Sequence, residues 1–224
     1  MEPLSWGWVT LFRMSSALVI AAYFIALAYS RRRAEVQAWA IAWSANLGAL
    51  AITLAFWQLQ STSTTVFAVA SALYFFAKTQ FVVALVAGAT GFALEQPRPV
   101  AHGRYSAVIA AFSTICGFVV GTLDRVGLIQ SVTMGAILIA GAMVVARTKA
   151  PGWQWLAIGF WLRMLLAAAE TAGYTLHAAG RALQPQWFAD LLAMHSAFDA
   201  GAEWIIALGG ALMLQKKVSE NRYA

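Results

Sequence analysis

Seven ionisable residues sit inside apolar runs of this sequence, where water cannot solvate them: Arg13, Lys78, Arg163, Glu170, His195, Asp199 and Glu203. An ionised side chain at the centre of a bilayer costs on the order of 2.5–3.5 kcal/mol on insertion scales, so such groups turn inward and find partners. Arg163, Glu170, Tyr174 and His177 recur at spacings of seven, four and three along one predicted helix. His195, Asp199 and Glu203 recur every four residues on the next and cover about 80° of its circumference. Two polar stripes are therefore expected to face one interior space, with His177 toward its outer end. Asp190 falls off the stripe, near the outer mouth.

A rise of about 1.5 Å per residue puts Lys78 and Asp199 each roughly 18–20 Å below the outer ends of their helices. Arg163 and Glu203 fall in the inner half, Glu170 and His195 in the outer half. Matched depth predicts three pairs: Lys78 with Asp199, Arg163 with Glu203 as a structural clamp, and Glu170 with His195. The same charges admit three uses: fixing helix register, lining a ligand-binding cavity, or relaying protons or ions.

Two kinds of cofactor chemistry can be weighed on these residues. His195-x-x-x-Asp199 places two metal-ligand types on one helical face, and His177 or Glu170 would complete a site. Membrane hydrolases of the ceramidase type use a His/Asp zinc site on seven helices. Here there are only three histidines, His102 falls in a loop, and no H-x-x-x-H pair occurs. His177 and His195 as axial haem ligands form a further alternative. Lys78 invites comparison with the Schiff-base lysine of microbial rhodopsins, but theirs lies on the last helix, which here has no intramembrane lysine. The expectation is no metal, no cofactor and no catalytic centre within the chain. Nucleophile-elbow, phosphate-loop and C-x-x-C patterns are absent.

The elements that must position these groups are apolar rods. The 224 residues are 61% hydrophobic and 11% charged, with mean hydropathy +0.70. A soluble domain carries about 25% charged residues, so the lipid bilayer is the expected partner. A spanning helix needs about 20 apolar residues. Seven stretches qualify: Trp8–Ser30, Glu35–Trp57, Thr65–Leu94, Tyr105–Leu123, Val126–Ala146, Trp153–Ala178 and Trp187–Leu214. The fold class is all-α, a seven-helix transmembrane bundle over residues 1–214. The tightest gap is Asp124-Arg125; without it, the fourth and fifth helices would merge into one broken segment.

The net charge of +6 does not point to nucleic acid, because the basic residues cluster at span ends. Arg31–Arg33, Arg98, Arg104, Arg147, Lys149, Lys216, Lys217 and Arg222 occupy alternate gaps and the tail, ten in all. Only Arg125 and Arg181 occupy the opposite gaps. The rule that positive residues stay inside orients the chain with its N-terminus outside and its C-terminus cytoplasmic. Trp6, Trp8, Trp57, Trp153, Trp155 and Trp187 sit near span ends, where amphipathic rings favour the headgroup level. Basic residues follow the first apolar run rather than precede it, so that run reads as a retained anchor. Cys116 is the single cysteine. Gly117-Phe-Val-Val-Gly121 is a G-x-x-x-G, read as a packing site within the bundle ahead of a dimer face. Tyr74-Phe75-Phe76 and Phe160-Trp161 read as core and lipid-facing bulk.

Three features carry a family resemblance: Ala38-Trp39-Ala40-Ile41-Ala42-Trp43 after a basic cluster; the run from Phe198-Asp199 through Glu203-Trp204 to Gly209; and a charged exit, Gln215–Ala224. The pattern resembles the N-terminal membrane module of bacterial signalling proteins that carry GGDEF diguanylate cyclase or histidine kinase domains. The ending Glu220-Asn-Arg-Tyr-Ala224 resembles the opening of a PAS domain in such proteins. The resemblance implies a bacterial inner-membrane sensor, homodimeric and non-enzymatic in itself, passing a signal through its last helix and residues 215–224 to a cytoplasmic domain in cis. A small-molecule ligand would meet Lys78, Glu170, Tyr174, His177, His195 and Asp199. A small proton-coupled carrier and a metal-dependent hydrolase using His177, His195 and Asp199 are the alternatives.

Overall fold

The structure is a computed structural model describing residues 3–59, 63–93, 102–147, 152–180 and 186–220. Seven helices account for nearly all of them: α1 Pro3–Arg31, α2 Ala34–Leu59, α3 Thr64–Ala93, α4 His102–Val119, α5 Leu123–Val145, α6 Trp153–Ala178 and α7 Gln186–Glu220. No strand occurs among the described residues. Arg98, Lys149, Arg181, Arg222 and the Pro97–Pro99 loop lie outside them, as do the side chains of Trp6, Trp8, Arg104, Trp187, Lys216 and Lys217.

Six helices are long and apolar enough to cross a membrane. The exception is α4, whose apolar part runs only over Tyr105–Val119. Its end is a correction to the sequence reading, which carried it to Leu123. The break falls at Val120–Thr122 rather than at Asp124-Arg125, because Gly121 adopts φ +63°, a backbone state open to glycine without steric cost. Thr122 then turns extended, and Asp124 enters the first turn of α5, where a negative charge suits the helix dipole. At the other end of the bundle, α1 and α2 are joined by only Arg32 and Arg33, with Arg32 at φ 47° and its N–H bonded back to the Ala28 carbonyl at 3.0 Å. Two further boundaries move outward: α1 begins at Pro3, before Trp8, and α7 continues past Leu214 to Glu220.

The helices form a closed ring in the order α1, α2, α3, α5, α6, α7 and back to α1. Helix α4 stands outside it, packed on α3. Gly117 makes that contact: a Cβ there would sit 2.6 Å from the Ala72 backbone nitrogen. Both glycines of the G-x-x-x-G thus serve the chain itself, one for close approach to α3 and one for the turn. Small residues also close the α6–α7 seam, where Gly159 faces Ile206 and Gly209 meets the Leu156 backbone. In lipid, tight packing of this kind holds helices together where no hydrophobic drive acts between them.

The half of the ring away from the chain's start is solid. Trp39 donates its indole N–H to the Leu85 carbonyl at 3.0 Å and fills a slot between Gly88 of α3 and Gly210 of α7. Phe24 meets Trp39 edge-on at 5.4 Å and stacks on Trp43 at 6.2 Å. Phe81, Leu85, Leu138, Val145, Leu156, Phe160 and Ile206 complete a contiguous buried cluster. Tryptophans of the Ala38–Trp43 segment are therefore core residues, whereas Trp57 and Trp155 are about half exposed, in keeping with an interfacial belt.

Candidate functional site

The opposite half of the ring is hollow. A chamber of about 550 Å³ is lined by residues of all six ring helices and none of α4. One wall is apolar, built by Leu50, Ile52, Phe56 and Trp57 of α2 with Phe67 and Ala70 of α3. The other is polar, built by Arg13 of α1, Gln130 of α5, Arg163, Glu170 and Tyr174 of α6, and His195 and Asp199 of α7. Tyr174 lies against Gly127 of α5, where any side chain would displace its ring.

Five charged side chains join into a ladder of alternating sign. Arg13 bonds Asp199 at 2.8 Å and Glu203 at 3.3 Å. Arg163 lies 3.0 Å from the other oxygen of Asp199 and 3.6 Å from Glu170. The order Glu203, Arg13, Asp199, Arg163, Glu170 runs through α7, α1, α7, α6 and α6. All five are buried, with Asp199 at 1% exposure and Glu203 at 2%. Asp199, gripped by two guanidinium groups, is the centre of the assembly. The ladder ties α7 to both of its ring neighbours and bridges the closure between first and last helices.

Lys78 stands apart from this ladder. Its ammonium donates to the Asn46 side-chain oxygen at 2.8 Å and lies 5.8 Å from the centre of the Phe81 ring. Lys78 is 3% exposed and Asn46 fully buried, so this pair forms the floor between chamber and solid half. At the rim, His177 approaches Asp124 at 3.6 Å, the histidine exposed and the carboxylate partly so. No known protein family, characterised protein or solved structure matches the chain.

The structure gathers most of the expected site residues: Lys78, Arg163, Glu170, Tyr174, His195 and Asp199 all line the chamber. His177 sits outside it beside Asp124, and Asp190 is exposed. The predicted pairings are corrected. Asp199 pairs with Arg13 and Arg163 rather than Lys78; Glu203 pairs with Arg13 rather than Arg163; Glu170 pairs with Arg163 rather than His195. The ring places α1 beside α7, so Arg13 reaches Asp199 and Glu203. Among the described residues, no three His, Cys, Asp or Glu side chains gather as metal ligands. His177, His195 and Asp199 therefore do not form the zinc site considered above.

Three contributors were missed. Arg13 was recognised as intramembrane but assigned no partner. Asn46 carries the ordinary signal of a lone amide inside an apolar span. Tyr74, taken for bulk, lines the chamber, while its neighbour Phe75 and also Phe160 are buried and Trp161 is 43% exposed, as expected.

Proposed function

We propose that this chain is the membrane-embedded sensory domain of a bacterial inner-membrane signalling protein. It binds a small molecule in the chamber and reports through α7 to a cytoplasmic partner domain. In this reading the six long helices and α4 cross the bilayer, the chamber faces outward, and Gln215 onward faces the cytoplasm. Arg31–Arg33 at the opposite end of the ring from the chamber support that orientation. Two copies pair in the membrane, as the resemblance to GGDEF- and histidine-kinase-linked modules implies.

One observation carries the proposal: the chamber wall and the output helix are the same element. Met194, His195, Ala197 and Asp199 of α7 line the cavity, and α7 continues unbroken from Gln186 to Glu220. A ligand touching one turn of a continuous rod moves its far end, by as much as its affinities for the two positions differ. The alternative of a carrier needs a second exit. The packed core that holds Trp43 and Phe81, both buried to 2% exposure or less, weighs against one.

The test uses spin labels at Gln37→Cys and Gln215→Cys in a Cys116→Ser background, in nanodiscs. Compounds are first chosen by thermal-shift screening, as those that raise the melting temperature of the intact chamber but not of a chamber filled by Ala70→Trp. A change in label separation or its distribution with such a compound is expected. Binding that leaves it unchanged refutes signalling through α7, and flux of that compound into proteoliposomes would favour the carrier.

A further inference from the structure

We infer that the chamber takes an uncharged amphiphile whose head both accepts and donates hydrogen bonds, a primary carboxamide in kind, and that Arg163 and Asp199 receive that head. This rests on the chamber being a ligand site and names the class of molecule it takes.

The buried charges around the chamber already cancel. Glu170, Asp199 and Glu203 bring three negative charges, and Arg13, Arg163 and Lys78 bring three positive ones. With His195 neutral, the sum is zero. Asp124 also lines the cavity, but it lies at the rim, partly exposed, with His177 beside it. A buried charge is costly unless it is paired and hydrogen-bonded. An ionic head would therefore enter a wall that has no counter-charge to spare, and a neutral head would not.

Hydrogen bonding, unlike charge, is incomplete in this wall. A guanidinium carries five N–H donors. Among the described residues, the hydrogen bond that Arg163 makes is a long one, from Nη2 to the Met134 sulfur at 3.9 Å. Its Nη1 lies 3.0 Å from Asp199 Oδ1 and 3.6 Å from Glu170, close enough for attraction. The alignment is poor, and Arg163 Nε and Nη1 and Asp199 Oδ1 are left without hydrogen bonds. Both residues line the chamber while being only 3% and 1% exposed. The cavity is thus the side from which partners for them can arrive. An acceptor oxygen suits the guanidinium, and an N–H suits the carboxylate. A primary carboxamide carries both on one carbon.

The rest of the ligand follows from the apolar wall of Leu50, Ile52, Phe56 and Phe67. The chamber volume of about 550 Å³ lies within the range of about 300–1,000 Å³ usual for small-molecule pockets. A tail of roughly ten carbons on a small head is of the size such pockets take, and it covers hydrocarbon that a bare polar solute would leave uncovered.

The test measures equilibrium binding of radiolabelled decanamide to the full chain in phosphatidylcholine nanodiscs. The competitors are N,N-dimethyldecanamide, which accepts but cannot donate, decanoate and decyltrimethylammonium. Saturable decanamide binding is expected, with each competitor at least tenfold weaker than unlabelled decanamide. Arg163→Lys keeps the charge but loses the planar fork, and should weaken decanamide at least tenfold. Asp199→Asn leaves one surplus positive charge, so decanoate should overtake decanamide, a gain that misfolding cannot produce. Absent saturable decanamide binding, equal competition by any of the three, undiminished affinity in Arg163→Lys, or no gain for decanoate in Asp199→Asn overturns the inference and leaves the chamber reading standing. Decanamide binding that persists undiminished in the chamber-filling Ala70→Trp variant overturns the inference too, and with it the chamber as the site of these amphiphiles.

Discussion

The two halves of this bundle solve the same packing problem in opposite ways. Away from the chain's start, six helices close around Trp39, Trp43, Phe81 and Phe160, with glycines bringing backbones close enough to leave little space. At the other end the same six helices stand around a chamber, and charge replaces bulk as the material between them. Arg13 and Arg163 occupy positions that large apolar side chains hold in the solid half. The contrast teaches where stability and responsiveness are divided. Dispersion between packed carbons forfeits much of its energy over gaps of an ångström, so the solid half resists movement. The ionic ladder instead rims the space a ligand would enter.

The sharpest way to break this contrast is at the ladder's centre. Asp199→Ala leaves two buried arginines short of a carboxylate, and removing one partner of a buried ion pair costs about 3–5 kcal/mol. Thermal unfolding in nanodiscs should show this as the largest loss of any single change in the hollow half; a loss under about 1 kcal/mol would mean that the ladder carries little of the fold. A second comparison adds the same group to both halves. Ala142→Leu overfills the solid half, where Ala142 is fully buried, and should cost about 1–3 kcal/mol. Ala70→Leu extends into the chamber and should stay within about 0.5 kcal/mol. Equal penalties would mean that the chamber does not exist as an open space. The smallest effect belongs to the rim: His177→Ala removes an exposed pair with Asp124, a class of contact worth about 0.2–1 kcal/mol, and melting should barely move.

What the sequence made legible follows the same division. The six long helices are readable because length and apolarity are local properties, and lipid forces every backbone group to be satisfied inside its own segment. That Glu170, Asp199 and Glu203 turn inward is readable from the cost of exposing them. The ladder's wiring is not, because depth along a helix is a local quantity and neighbourhood around a ring is not. Arg13 reaches Asp199 across 186 residues, and nothing near either residue encodes that α1 closes against α7. The displacement of α4 has a subtler cause. Its apolar part begins only at Tyr105 and its break comes at Gly121, leaving a rod too short to match its neighbours and with much of its surface unburied, as at Val108, Ile115 and Phe118.

The closure of first helix upon last also sets an order of events at the ribosome. Ribosomes add about 5–20 residues per second, so Arg13 waits on the order of ten to forty seconds for Asp199 to be made. Until α7 inserts, the nascent protein holds a guanidinium in lipid without either carboxylate that will receive it. A chain released before Asp199 is synthesised therefore keeps that guanidinium without either of its ladder carboxylates.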